Sequence, residues 1–214
     1  TEADARSLVP RLLPLLQATG AVRRLLAVAG PPASGKSTLA AALAGALTAA
    51  GHKACLVPMD GFHLDNRLLQ ARGLLPRKGA PETFDAAGFI ALMTRLTHEP
   101  HLVFPLFDRA RDLAVAGAGE VTPDTGIAVV EGNYLLFDEA PWSRLAHLWH
   151  ASLFLDLPPE ILRARLVTRW LDHGLTPDAA LTRAEANDLP NARRILARRL
   201  PADLTLHPGG RIAL

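Results

Sequence analysis

Gly30-Pro31-Pro32-Ala33-Ser34-Gly35-Lys36-Ser37-Thr38 follows the apolar run Leu25 to Ala29 and leads into the helix-forming stretch Lys36 to Ala50. The spacing G-x-x-x-x-G-K-[ST] between a strand and a helix is that of a phosphate-cradling loop. Glycines let the backbone approach phosphate oxygens, successive N–H groups form an anion nest, and the helix points its positive end at the same spot. Lys36 is expected to reach β- and γ-phosphates, Ser37 to supply a hydroxyl to Mg²⁺, and Thr38 to meet the α-phosphate. The alternative is a glycine turn that merely joins strand to helix, with Lys36 solvated. Full spacing and both flanking elements favour a nucleoside triphosphate site.

Outward from this loop, short apolar runs recur at Ala54 to Val57, Ile127 to Val130, Leu153 to Leu155 and Leu204 to Leu206, with helical patterns between them. Alternation of this kind predicts an α/β fold: a mostly parallel sheet with helices on both faces, and ligands beyond the carboxyl ends of the strands. Gly51 is placed to stop the first helix in a left-handed conformation. Residues 86 to 98 read as a helix whose stripe Phe89, Leu92, Met93 and Leu96 is core. From Pro159 to His173, Leu162, Leu166 and Trp170 share one face, and Arg165, Arg169 and His173 another. A helical pair follows, divided near Asp188 to Pro190, with Asp188 as the cap of the second helix.

The 214 residues are 49% apolar, which suits one domain over 1–214 with a substantial core. A formal charge of +2 gives no broad basic surface for nucleic acid, and a small anionic ligand fits better. Cys55 is the only cysteine, so an internal disulfide and a cysteine metal cluster are both excluded and a reducing cytoplasm is expected. The opening TEADARSLVPRLLPLLQ lacks the basic start of a signal peptide and is broken by Pro10 and Pro14; no apolar stretch is long enough for a membrane span.

Asp60 follows the second strand, where a carboxylate at the sheet edge could orient a hydroxyl and take its proton; the other reading is a turn or capping aspartate. His63 reads equally as a packing residue or a substrate contact. Glu131 ends the third strand, as a Mg²⁺ carboxylate or a capping residue. Arg165 and Arg169 lie four apart, either closing over a γ-phosphate or forming a solvated face. Asn187 and Asn191 flank the helix break and either touch an acceptor or cap.

The loop at 30–38, MDGFH at 59–63, RGLLPRKGAPETFD at 72–85, PLFDRARD at 105–112 and VVEGNYLL at 129–136 resemble the P-loop kinases that include uridine kinase, phosphoribulokinase and bacterial type I pantothenate kinase. RKGAPETFD looks most like pantothenate kinase. MDGFHLDN, EGNYLL and NDLPNARR look more like the bacterial branch labelled fructose-transport-system kinase. The resemblance implies an ATP- and Mg²⁺-dependent transfer of the γ-phosphate to a small-molecule hydroxyl. It makes Asp60 the base and the helix bearing Arg165 and Arg169 a lid, at about 158–190. It also implies acceptor-side places for Arg77, Lys78, Phe84, Asp85, Asp108 and Arg109, with a solvated pair as the other reading of Arg77 and Lys78. The adenine loop falls at 205–209, with Pro208 in it. The acceptor is expected to be a sugar such as fructose, with pantothenate or a nucleoside as alternatives, and a homodimer is left open. The Asn-Lys-x-Asp motif of a GTPase and the signature sequence of an ABC ATPase are missing. A nucleotide sensor without phosphotransfer is the alternative of a different class.

Overall fold

The computed structural model describes residues 2–17 and 20–213. In chain order these form α1 (Glu2–Leu12), β1 (Arg24–Ala29), α2 (Lys36–Ala49), β2 (Ala54–Pro58), α3 (Asn66–Ala71), α4 (Ala86–Leu96), β3 (Leu102–Asp108), β4 (Leu113–Val121), β5 (Ile127–Gly132) and β6 (Ala151–Leu155). They continue as α5 (Pro159–Asp172), α6 (Pro177–Arg183), α7 (Leu189–Ala197), β7 (Leu204–Leu206) and β8 (Ile212–Ala213). The main sheet has the order β2-β5-β1-β6-β7-β8; all neighbours are parallel except the β7–β8 pair. The expected parallel sheet is thus observed, with a short antiparallel edge strand added.

Continuous apolar runs arise because both sheet faces are covered. In β1, Leu25, Ala27 and Ala29 enter a cluster with Val57, Val130, Phe89, Met93, Leu96 and Trp142, whereas Leu26 and Val28 point the other way into Leu8, Leu12, Leu39, Leu43 and Leu47. Side chains alternate across a strand, so a strand clamped between α4 on one side and α1 and α2 on the other has no polar face to show. Arg23, fully buried just before β1, donates to the carbonyls of Leu96, Glu99, Pro100, Thr122 and Thr125. A guanidinium is tolerated there because carbonyl oxygens surround its donors.

Three features depart from expectation. Helix α1 forms with Pro10 inside it and four buried apolar residues, Ala5, Leu8, Val9 and Leu12. A separate antiparallel hairpin, β3–β4, occupies 102–121, with a bulge between Phe104 and Leu106. The helix divided near Asp188 proves to be continuous through a wide turn, Ala184–Asp188, between α6 and α7. Asp188 is therefore not the helix cap: its backbone is helical (φ −73°, ψ −43°), and its carboxylate accepts from Trp170 Nε1 at 2.5 Å. Among the described residues no helix is long and apolar enough to cross a membrane.

Candidate active site

Strand register brings the site together. Glu131 of β5 lies beside Val28 of β1 and Pro58 of β2, so the loop after β1, the turn after β2 and the end of β5 emerge at one edge. This edge is where ligands of parallel sheets bind.

On the phosphate side the loop conformation is set by Gly35 (φ 94°), which caps α2, and by Ala33, held left-handed at φ 63°. Gly30 passes so close to β6 that a Cβ there would meet the Ser34 hydroxyl at 2.9 Å and the Leu155 carbonyl at 3.1 Å. Lys36 is partly buried beside Glu131 and Asp60; burial lowers its pKa while the two carboxylates oppose that shift. Ser37 Oγ donates to Glu131 Oε2 at 3.2 Å. Glu131 is only 3% exposed, and burial raises its pKa against the pull of Lys36. A hydroxyl and a carboxylate are hard oxygen donors of the kind Mg²⁺ takes. Among the described residues no three His, Cys, Asp or Glu side chains are grouped to hold a metal. An ion held here would take its remaining oxygens from phosphate and water.

On the acceptor side, Asp60 lies in the single helical turn Met59–Phe62 after β2 and accepts from Arg109 Nη2 at 2.7 Å. The hairpin supplies Arg109, and it seats on the Asp60 turn because position 61 is glycine: a Cβ there would collide with the Pro105 carbonyl. His63 stacks on Phe84 (centroids 4.0 Å apart, 28° between planes), and its Nε2 is 3.9 Å from Asp60 Oδ1. Burial drops its pKa to about 4, leaving the ring neutral at physiological pH. Lys78 Nζ donates to Asn66 Oδ1 at 2.7 Å and Asp112 Oδ1 at 2.8 Å, and sits 5.1 Å from the centroid of Phe107.

The two sides share one cavity of about 830 Å³. Of the residues proposed from sequence, Pro32, Ala33, Gly35, Lys36, Ser37, Thr38, Asp60, His63, Lys78, Arg109, Arg165 and Arg169 line it. Gly30, Pro31 and Ser34 are buried loop residues outside the cavity lining, and Glu131 accepts from Ser37. Arg165 Nη1 donates to the carbonyls of Ser34 (3.1 Å) and Ala33 (3.4 Å), which fastens α5 to the loop. Arg169 is partly buried, and desolvation together with the charge of Arg109 lowers its pKa.

Other expected residues lie elsewhere. Arg77 is exposed and pairs with Glu82 at 3.1 Å, so Arg77 and Lys78 do not act as a pair. Phe84 is buried among His63, Tyr134 and Trp142, and Asp85 caps α4 through Gly88 N at 2.9 Å. Asp108 accepts from Arg111 N in the hairpin turn, and Pro208 is exposed and absent from the cavity lining. Asn187 and Asn191 are buried; Asn187 Nδ2 donates to the Lys78 carbonyl at 3.0 Å, and Asn191 Nδ2 to Asn187 Oδ1 at 3.5 Å.

Sequence reasoning missed Phe107, Asp112, Asn133, Trp170, Arg183 and Asp188 as cavity residues. Signals were present for most of them: Asn133 adjoins Glu131 in the EGNY segment, Phe107 and Asp112 lie in PLFDRARD, Asp188 lies in NDLPNARR, and Trp170 is next to Arg169.

No family model matches the chain. It is 36% identical over 196 residues to the "Uncharacterized protein YggC" of Escherichia coli, covering 90% of this chain and 81% of that one. Against the "Putative uridine kinase C227.14" of Schizosaccharomyces pombe it is 35% identical over 198 residues, covering 86% and 83%. The solved structure of a "putative fructose transport system kinase" from Silicibacter sp. TM1040 superposes with a TM-score of 0.91 at 57% identity, covering 94% of this chain and 98% of that one. The phosphate loop, the carboxylate at the end of β2 and the Arg-bearing helix thus sit in a chain that spans most of each of these relatives. This chain belongs to the P-loop kinase family of the uridine kinase, phosphoribulokinase and pantothenate kinase type.

Proposed function

We propose that the protein transfers the γ-phosphate of ATP to a hydroxyl of a small molecule, with a sugar such as fructose as the leading acceptor class. The observation that carries this reading is the shared cavity, whose lining includes Lys36 and Ser37 of the phosphate loop together with Asp60 of the turn after β2. A nucleotide-binding loop alone serves many proteins; a carboxylate in the same cavity as that loop is what hydroxyl phosphorylation requires. The sugar assignment draws on the 57% identity to a protein whose printed name refers to fructose transport.

In this reading the loop N–H groups and Lys36 hold the phosphates, while Ser37 and Glu131 would hold Mg²⁺. The ion, when bound, neutralises charge on the transferring phosphoryl group. Asp60 orients the acceptor hydroxyl and accepts its proton. Arg109 occupies one oxygen of that carboxylate in the absence of an acceptor, so the guanidinium must shift as the hydroxyl arrives. Arg169, partly desolvated and without a carboxylate ion pair among the described residues, would place its charge beside the γ-phosphoryl group as its bond to the departing ADP breaks and its bond to the acceptor oxygen forms.

A phosphotransfer screen over sugars, nucleosides and pantothenate, read by product mass, tests the proposal. ATP should be consumed only when an acceptor is present, and sugars should give the highest turnover. A pantothenate or nucleoside product would move the acceptor class. Tight ATP binding with no turnover on any acceptor would favour a nucleotide sensor.

A further inference from the structure

The segment 76–80 is held in an unusual way: side chains from distant elements bind its carbonyls. Arg183 Nη1 donates to the Pro76 carbonyl at 2.8 Å, Asn187 Nδ2 to that of Lys78 at 3.0 Å, and Tyr134 Oη to that of Gly79 at 2.5 Å. Arg183 Nη2 adds a longer bond to the Lys78 carbonyl at 3.4 Å. Asn187 is 5% exposed, and its oxygen is engaged by Asn191, so its amide is oriented rather than free to rotate. What these bonds locate is Lys78, whose ammonium enters the cavity beside Asp112 and over Phe107.

Arg183 and Asn187 lie in the α6–α7 run, which follows the arginine-bearing α5 after a turn at Gly174 and packs against it. Trp170, next to Arg169, donates to Asp188 at 2.5 Å, and its ring lies 5.3 Å from the Arg183 guanidinium. A continuous set of contacts therefore runs from Arg169 through Trp170 to Arg183 and Asp188, and on to the carbonyl of Lys78. An element packed in this way shifts as a body rather than deforming side chain by side chain.

We infer that Arg183 and Asn187 are positioning residues that tie the acceptor loop 76–80 to the Arg-bearing helix, so that nucleotide engagement by Arg165 and Arg169 sets Lys78 before an acceptor arrives. The inference rests on the kinase reading above, since it needs a nucleotide to engage those arginines. It assigns Asn187 a role through Lys78 rather than in contact with the acceptor. In physical terms, opening the loop requires breaking its bonds to the helical run. Anything that binds and steadies the run therefore makes the loop harder to open.

The loop's own amides make local bonds, Lys78 N to the Leu75 carbonyl (3.1 Å) and Ala80 N to that of Arg77 (2.9 Å), so their hydrogen exchange reports loop opening. Exchange is measured with and without Mg²⁺ and the non-hydrolysable analogue AMP-PNP, in the parent, Asn187→Leu, Arg183→Met and Arg183→Lys. In the parent the analogue should slow exchange at 35–40 and, about tenfold or more, at 76–80. Asn187→Leu and Arg183→Met should keep the effect at 35–40 and lose it at 76–80, while Arg183→Lys, which retains a donor for Pro76, should restore part of it. A merely structural role would raise exchange at 76–80 equally with and without the analogue. Arg183 is only half-buried, so its variants serve even if Asn187→Leu folds poorly. Protection at 76–80 that persists in both Asn187→Leu and Arg183→Met, or parent protection confined to 35–40, would overturn the inference. Absence of protection at 35–40 in the parent would overturn the nucleotide reading, and this inference with it.

Discussion

The two walls of the cavity are built differently. The phosphate wall is nine consecutive residues between a buried central strand and a helix, a pattern whose successive backbone N–H groups make an anion nest. The acceptor wall draws on the Asp60 turn, the 76–80 loop, the β3–β4 hairpin and the α6–α7 run, and is tied by ion pairs such as Arg109–Asp60 and Lys78–Asp112. A contiguous backbone cradle fixes one chemistry, phosphate binding, whatever surrounds it. A wall assembled from side chains far apart in sequence can change its ligand by changing one contributor, which is why a single loop can serve many acceptors.

The sharpest way to break this contrast is Lys36→Ala. It should lower transfer by about 10³-fold and weaken nucleotide binding, while the thermal midpoint stays within a few degrees, because Lys36 faces phosphates rather than core. Calorimetric titration with Mg²⁺-ATP alongside thermal unfolding checks both halves. Unchanged affinity and transfer would return Lys36 to a solvated turn.

Arg169 probes the seam between the walls. Arg169→Ala should reduce turnover on the best acceptor by about 10²-fold with a smaller change in ATP affinity, because the charge counts most as the phosphoryl group moves. Steady-state kinetics with both substrates saturating measures this. An unaffected turnover would make Arg169 a solvated face.

An effect of comparable size concerns the acceptor wall alone and is read in stability. His63 titrates near 4 in the folded protein against about 6.5 when unfolded. The unfolded chain therefore binds the extra proton first as pH falls. The stability His63 contributes is complete above about pH 6.5 and is lost progressively toward pH 4, on the order of 3 kcal/mol in all. Asp60, Lys78, Asp112 and Arg109 face the ring and modulate this, but desolvation is the largest cause. Urea unfolding across that range should show a shallower fall in His63→Phe, which keeps an aromatic ring against Phe84 and Phe107. Parallel slopes in the two proteins would mean that the ring is better solvated than its surroundings imply.

The same contrast explains what could be read from sequence. The loop, the five parallel strands and the helices at 36–49, 86–96 and 159–172 were legible because each is contiguous and carries one period of burial. The β3–β4 hairpin was not: Pro105 interrupts one strand, the other is Ala- and Gly-rich, and much of its surface is solvent-facing. With the hairpin unseen, Arg109 could be placed only by resemblance, and Phe107 and Asp112, in the same PLFDRARD segment, were given no role. Asp188 and Pro190 looked like a helix boundary because both residue types favour first turns, yet Asp188 is instead held by Trp170 eighteen residues earlier. Asn187 illustrates the same limit, since its partner is a backbone carbonyl 109 residues away.

The account stands or falls on Asp60. Asp60→Asn keeps the shape of the side chain and removes its ability to take a proton, so single-turnover transfer to the parent's best acceptor should fall by ~10²–10⁴-fold. Mg²⁺-ATP affinity, measured on the same protein, should stay close to the parent's, in contrast with Lys36→Ala. Transfer within threefold of the parent would contradict the base assignment, and loss of nucleotide binding would move Asp60 from the acceptor wall to the metal.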